Sequence, residues 1–135
     1  MKWRKEVIFN VFGIEANETL LDANREYYRQ HILDETHQAI VASIDGEDVG
    51  VGAVCLSEEL PSPDNPSGKC AYLMNIYVRE PYRNHGVARK IVNHLVSMAK
   101  AEGCGKIYLE STDMAKPLYH ECGFTDMENM MKYED

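Results

Sequence analysis

Apolar side chains recur at helical spacing through the first quarter of the chain. In the first segment one helical face is formed by apolar residues: Trp3, Val7, Ile8, Val11 and Phe12. The run VIFNVF within this segment also fits a strand. Gly13 is a typical helix stop, and Asn17 can cap a second helix over Glu18–Leu33. The pattern therefore predicts that two helices open this chain.

A strand hairpin is predicted next, because the apolar period shortens toward two. Its strands are Gln38–Ile44 and Asp48–Leu56, joined by an Asp-Gly turn. Gly50 and Gly52 weaken the second strand, which indicates either a bulge or close packing against another element. The proline-rich stretch Leu60–Lys69 is predicted to be a loop, either purely structural or one wall of a substrate site.

The remaining elements are predicted to alternate as strand, helix, strand, helix and strand: Cys70–Val78, Val87–Ala101, Lys106–Glu110, Met114–Cys122 and Glu128–Tyr133. Asp113 can cap the last of these helices. The apolar residues of the longer helix recur at helical spacing and should pack on a sheet: Ala88, Ile91, Val92, Leu95, Val96 and Ala99. This order of elements predicts a mixed sheet with helices on its faces.

Size and charge narrow the class of protein. A chain of 135 residues suits one domain, here residues 1–135. Its net charge of −8 argues against nucleic acid as a partner and slightly favours an amine substrate, although an acidic surface also simply keeps a protein in solution. No apolar run is long enough for a membrane helix, and the start MKWRKEV lacks an apolar signal region. We therefore expect a cytoplasmic protein without a membrane partner.

The four cysteines do not indicate a metal or redox site. Cys55, Cys70, Cys104 and Cys122 form no C-x-x-C pair and have no histidine at metal-ligand spacing. In the expected compartment they should be reduced packing residues.

A predicted turn between a strand and a helix is the strongest candidate binding site. It reads Arg83-Asn84-His85-Gly86-Val87-Ala88, followed by Arg89. Free N–H groups and aligned peptide dipoles at a helix start favour an anion such as a diphosphate. Gly86 tolerates positive φ and lets a ligand approach the backbone, while Arg83 and Arg89 could bind phosphate oxygens.

Two strings of the sequence resemble the GNAT superfamily of acyl-CoA-dependent N-acyltransferases. The string YLMNIYVREPYRNHGVARKI is similar to the family's strand, phosphate turn and helix, and AKPLYHECGF is similar to its A-x-x-L-Y-x-x-x-G-F motif. The resemblance implies an α/β (α+β) fold, with a mixed, mostly antiparallel sheet, a splayed central strand pair and helices on both faces. Members usually open with a strand, but this chain starts close to its first helix. We therefore expect that strand to be missing, with its place open to a partner chain.

The resemblance also implies roles for particular residues toward acetyl-CoA as cosubstrate. The diphosphate would lie on the turn formed by Arg83, Asn84, His85, Gly86, Val87, Ala88 and Arg89. The pantetheine arm and the thioester carbonyl would meet the backbone of the splayed strand at Asn75, Ile76, Tyr77 and Val78. Tyr119 would act as the general acid toward the departing sulfur.

The general base and the acceptor stay open from sequence. Asn75 stands where many members have a glutamate, and Ser111–Met114 lacks a frequent asparagine. The candidates for the general base, which the sequence does not rank, are Glu35, Glu58, Glu59, Glu110 and His120. A chain of water molecules is an equal alternative. Tyr27, Tyr28 and His31 are candidate acceptor contacts.

These residues predict an enzyme that transfers an acetyl group to a small-molecule or peptide amine by direct attack in a ternary complex. A non-catalytic acyl-CoA-binding or regulatory module on the same fold is the alternative. A homodimer is a further expectation, because dimers are the commonest soluble assemblies.

Overall fold

The computed structural model describes all 135 residues. Its elements follow in chain order: α1 (Lys2–Phe12), α2 (Glu18–Leu33), β1 (His37–Ile44), β2 (Glu47–Glu58), β3 (Lys69–Val78), a 3-10 turn (Glu80–Tyr82), α3 (Val87–Ala101), β4 (Lys106–Leu109) and α4 (Lys116–Glu121). None of these helices is long and apolar enough to cross a membrane.

Local rules place most of the element ends correctly. The VIFNVF segment belongs to α1, whose Val7 and Ile8 are buried, and Gly13 ends that helix with φ 71°. The Asn17 side chain accepts a 2.8 Å hydrogen bond from Leu20 N, as expected of a helix cap. Because residues 2–12 are helical, the sheet has no strand before α1, in agreement with the sequence prediction.

Two predictions near the C-terminus are wrong. Glu128–Tyr133 forms no strand: all six residues are exposed and no strand lies beside them to complete a backbone ladder. Asp113 does not cap α4, which begins two residues later than predicted and has Ala115 at its cap without a side-chain hydrogen bond. The Asp113 carboxylate instead lies 3.6 Å from the Lys116 ammonium.

The sheet is mixed and mostly antiparallel, as predicted. Its strand order is β1-β2-β3-β4, with β1–β2 and β2–β3 antiparallel and β3–β4 parallel. The parallel pair is short: it runs only from Cys70 opposite Lys106 to Leu73 opposite Leu109. Since β4 ends there and β3 continues to Val78, the second half of β3 has no strand on that side. This is the splayed central pair.

A β-bulge marks the point where the two strands part. Val51 pairs with Tyr77 and Ala53 pairs with Met74, so Gly52 alone lies opposite both Asn75 and Ile76. Asn75 takes the extra residue's place with φ 56°, in the left-handed region that asparagine tolerates better than most residues. The bulge therefore turns β3 just beyond its last pair with β4.

Helices cover both faces of the sheet. On one face the buried side of α3 packs on β2 and β3, and these elements form one apolar cluster: Val49, Val54, Ala71, Leu73, Val78, Val87, Ile91, Val92, Leu95 and Ala99. On the other face lie α1 and α2, which contact β3 and β1 respectively. The bulge is thus enclosed between two helical layers.

Close packing explains the glycine opposite the bulge. A Cβ at Gly52 would lie 2.5 Å from Ile91 Cγ2 and 3.0 Å from Leu95 Cδ1, well inside contact distance. Gly52 therefore lets α3 approach the sheet, and it marks both a bulge and close packing, the two alternatives that the sequence left open.

We predict that Gly52→Ala lowers the free energy of unfolding by about 1–3 kcal/mol, because α3 must shift to admit the methyl group. Denaturant unfolding measures the change. Ser57→Ala, at an exposed position of the same strand, should change stability by less than about 0.5 kcal/mol. Equal stability of Gly52→Ala and the unaltered protein would contradict the packing argument.

Candidate functional site

The turn between β3 and α3 leaves a row of backbone donors free. The N–H groups of residues 84–89 donate to no acceptor in the protein, whereas Arg83 N donates to Glu80 O at 3.2 Å and Lys90 N to Gly86 O at 3.1 Å. Asn84 and Gly86 both have positive φ, at 66° and 79°. The turn thus presents six consecutive unpaired donors at the start of α3, which is the arrangement that binds an anion.

The space in front of Gly86 is open. An added Cβ there would meet no heavy atom within 4 Å, and Asn84, His85 and Gly86 are exposed. Val87, by contrast, is buried in the core and anchors the first turn of α3. A rigid helix start therefore faces a space that a ligand can enter.

The two arginines of the turn have different surroundings. Arg83 Nε donates to Val78 O at 2.8 Å, and its guanidinium lies 5.6 Å from the Tyr77 ring centroid, so this side chain lies along the end of β3. Arg89 pairs with Glu121 of α4. Because that pair is about half exposed, it is weak, and Arg89 keeps donors for a ligand. Both arginines stay candidates for binding phosphate.

The second half of β3 leads from the bulge to the turn. Asn75, Ile76, Tyr77 and Val78 follow the last pair with β4, and each is at least partly shielded from solvent. Backbone groups on the open edge can hydrogen-bond an extended ligand as a neighbouring strand would. The structure thus brings the expected backbone site and the expected phosphate site together along one strand and the turn that follows it.

Tyr119 lies on α4, beside the end of β4. It lines a groove of about 700 Å³ together with Leu109 and Ser111, the residues at which β4 leaves the sheet. Its ring packs edge-on to Phe124 with centroids 6.0 Å apart. Burial, with a smaller contribution from Cys122, raises the pKa of Tyr119, so it stays a protonated phenol at neutral pH. The Tyr119 hydroxyl is not fully buried, so it can donate a hydrogen bond to a ligand.

A second cavity, of about 460 Å³, lies on the opposite face of the sheet. We call it the arginine cavity, because three arginines and no carboxylate are among the residues that line it. Its walls come from α1, α2, β1, β2 and the bulge: Met1, Trp3, Arg4, Arg25, Tyr28, Arg29, Ile32, His37, Ala39, Ile40, Val41, Val51, Gly52 and Asn75. Since it reaches Asn75, it opens onto the place where β3 and β4 part.

His37 also lines this cavity, and no motif or spacing along the chain singles it out. It is 4% exposed, and its Nδ1 lies 2.9 Å from the Tyr27 hydroxyl. The same hydroxyl donates to Cys55 Sγ at 3.5 Å, so it can accept from Nδ1–H and leave a lone pair on Nε2. Burial lowers the pKa of His37, and the nearby His31 and Arg4 lower it further, so the ring is neutral at pH 7.

The other candidate acceptor contacts are divided by the structure. Tyr28 lines the arginine cavity, whereas Tyr27 and His31 do not. Tyr27 instead packs its ring beside that of His31, and its hydroxyl is hydrogen-bonded to His37 Nδ1. The loop at residues 60–69 joins the ends of β2 and β3 farthest from the bulge and does not line the cavity, so the structure favours its purely structural reading.

None of the five bases suggested from sequence lines the arginine cavity. Glu59 bonds the Asn65 amide at 3.1 Å and Lys106 at 3.3 Å, and His120 bonds Asp126 at 3.0 Å. Glu35, Glu58 and Glu110 are exposed.

The structure contains no cluster of three or more histidine, cysteine or carboxylate side chains that could hold a metal ion. Burial raises the pKa of the Cys70, Cys104 and Cys122 thiols.

Comparison with known proteins identifies the family. Residues 5–124 match the family described as "Acetyltransferase (GNAT) family", and this chain belongs to it. A crystal structure of a predicted acetyltransferase with acetyl-CoA from Clostridium acetobutylicum superimposes with a TM-score of 0.88, covering 98% of this chain and 86% of that one at 22% identity. The GNAT fold expected from the two sequence strings is therefore confirmed.

Curated relatives share shorter stretches. N-alpha-acetyltransferase 50 of Danio rerio is 30% identical over 90 residues, which is 64% of this chain and 51% of that protein. A probable glucosamine 6-phosphate N-acetyltransferase 2 of Oryza sativa subsp. japonica is 32% identical over 59 residues, 44% of this chain and 36% of that protein. The shared stretches thus cover between about a third and a half of these relatives.

Proposed function

We propose that this protein transfers an acetyl group from acetyl-CoA to a primary amine by direct attack in a ternary complex. The observation that carries the proposal is the continuous open path formed by the second half of β3 and the six free amides of the turn. Both relatives named above are N-acetyltransferases, and the structural neighbour contains acetyl-CoA. Their names point to different acceptors, so the amine must be inferred from this chain's own cavity.

The turn binds the diphosphate of acetyl-CoA. Its N–H groups from Asn84 to Arg89 supply hydrogen bonds, and the N-terminal end of α3 supplies a positive potential. Arg83 and Arg89 add charged donors. The pantetheine arm follows the open edge of β3 from Val78 to Asn75, where backbone N–H groups polarise the thioester carbonyl.

The amine occupies the arginine cavity and attacks from the face of the sheet covered by α1 and α2. Arg4, the one arginine of this cavity without a carboxylate partner, disfavours a bound ammonium, so the amine loses its proton more readily there than in water. The new N–C bond forms as the C–S bond breaks. Tyr119 donates its proton to the leaving thiolate, and the resulting phenolate is reprotonated from solvent.

His37 takes up the proton that the amine releases. Its neutral ring and the lone pair on Nε2 suit that role. His37 pairs with Cys55, which is three residues from Gly52 along β2. His37 is therefore roughly 10 Å from the bulge. The proton therefore passes through water in the cavity.

The alternative is a non-catalytic module that binds acyl-CoA. It would keep the free amides of the turn but would not need a proton donor at Tyr119 or a neutral histidine in the opposite cavity. The variants below separate the two functions.

Gly86→Ala should weaken acetyl-CoA binding about tenfold, because strain at positive φ and the new methyl group disturb at least one charge-assisted hydrogen bond. Isothermal titration calorimetry measures the dissociation constant. Gly13→Ala is the matched control, since Gly13 also has positive φ and open space around it. It should lose similar stability and keep full affinity. Unchanged affinity in Gly86→Ala would argue against the turn as the phosphate site.

Tyr119→Phe should lower kcat by about 100-fold while acetyl-CoA affinity stays within about twofold, because the hydroxyl acts only as the thiolate forms. Thiol release with an amine acceptor gives the rate, and calorimetry gives the affinity. Tyr133→Phe, at an exposed position, should change neither. No measurable transfer by the unaltered protein to any amine, together with tight acetyl-CoA binding, would establish the non-catalytic module instead.

For His37, the wild-type kcat should fall as the pH drops below 6.5, because a group whose pKa is lowered by burial becomes protonated only below its usual value. His37→Gln should have a lower kcat that does not fall further in this range. His94→Gln, which removes an exposed histidine of α3, should retain the wild-type profile. A wild-type acid limb that survives in His37→Gln would exclude His37 as the proton acceptor.

A further inference from the structure

Arg4 is an unusual cation for this protein. The sequence has 22 acidic residues against 14 basic ones, and most of its arginines lie within 4.0 Å of a carboxylate. Arg4 has none within that distance. It is partly buried in α1, where its Nε donates to Asn24 Oδ1 and its Nη1 to Asn75 Oδ1, both at 2.9 Å. Two neutral amides therefore hold the guanidinium and leave its charge uncompensated.

The unused donors of Arg4 can reach the arginine cavity. Nη2 makes no hydrogen bond in the protein, and no fully buried side-chain nitrogen lacks a partner, so Nη2 remains accessible. Arg4 also lines the cavity itself. The other two arginines of the cavity are already paired: Arg25 with Asp22 at 2.6 Å, and Arg29 with Glu26. Arg4 is thus the cavity's one arginine without a carboxylate partner.

We propose that the acceptor carries an acidic group, a carboxylate or a phosphate, and that Arg4 binds it in the arginine cavity. This inference rests on the proposed function, since it assigns the substrate class of the same site. A partly buried guanidinium without a counter-ion gains most from an anionic ligand, because its planar donors match carboxylate and phosphate oxygens. An acceptor without an acidic group would leave that charge uncompensated.

The position of Arg4 limits the size of the acceptor. Because Arg4 contacts the Asn75 side chain directly, an anion on Arg4 lies within a few ångströms of the bulge where the amine must react. The acidic group and the amine are therefore separated by a short chain of bonds. A cavity of about 460 Å³ is in the range of small-molecule sites. The acceptor class is a small amino acid or amino phosphate.

The test compares matched amines that differ only in the acidic group. The pairs are 4-aminobutyrate with 4-aminobutyramide, and glucosamine 6-phosphate with glucosamine. We expect the anionic member of at least one pair to have a kcat/KM at least about tenfold higher, the effect of one charge-assisted hydrogen bond. Calorimetry of the same compounds, with coenzyme A present, should show the same order of affinity.

The variants assign that preference to Arg4. Arg4→Gln should remove the tenfold preference, because kcat/KM should fall about tenfold more for the anionic amine than for its neutral partner. Arg4→Lys, which keeps the charge, should restore part of it. Lys5→Gln removes a charge from an exposed position of the same helix and should retain the full preference. A purely structural role in joining α1, α2 and the bulge would instead lower both rates equally.

Two failures are distinguishable. If anionic amines bind no tighter than their neutral partners, or keep their advantage in Arg4→Gln, this inference is wrong while acetyl transfer stands. If acetyl-CoA does not bind and no amine releases thiol, the proposed function is wrong. In that case the calorimetric comparison of the amine pairs still decides whether Arg4 binds an anion.

Discussion

The parting of β3 from β4 is the constraint on which the rest of this structure depends. Parallel pairing stops at Leu73, and the bulge at Asn75 then turns β3 away from its neighbour. Gly52 makes that bulge compatible with a tightly packed helix, since any larger residue would press on α3. The gap between β3 and β4 leads to the turn at one end, and the arginine cavity adjoins it on the face of the sheet covered by α1 and α2. One backbone irregularity thus connects the two candidate substrate sites.

The helix α3 serves the fold and the site through different parts of its surface. Its buried side, including Leu95 and Ala99, packs fully into the sheet and fixes the helix in place. Its first turn must leave N–H groups without helical partners, because no earlier carbonyl lies within the helix to accept them. Burial of Val87 holds those donors rigid while Gly86 remains exposed. Preorganised donors of this kind bind an anion without the cost of ordering a loop.

Local charge in the candidate site is the reverse of the net charge. The chain is acidic overall, which favours a cationic partner at long range, but the residues that line the arginine cavity include no carboxylate. For a ligand inside the cavity, charges within a few ångströms outweigh the net charge of the chain, because exposed charges farther than about 10 Å are largely screened by salt. The proposed acceptor, an amine that also carries an acidic group, would fit both charges, with its amine attracted by the acidic surface and its anion by Arg4.

The parts of the structure that the sequence predicted depend on neighbours in the chain. The Asn17 cap, the Gly13 stop and the Gly86 turn are set by backbone conformation within a few residues, and the apolar face of α3 is set by the helical period. The failed strand at 128–133 shows the limit of such rules, since a strand needs a partner beside it. The resemblance to the family added the expected roles of the turn at Gly86 and of Tyr119.

What only the tertiary structure decided is which distant residues meet. Arg4, His37 and Asn75 come from α1, β1 and β3, and no spacing along the chain relates them. They share a cavity because the sheet register and the docking of α1 and α2 bring them to one face. Their chemistry depends on that arrangement too: burial makes His37 neutral, and two amides leave the charge of Arg4 uncompensated.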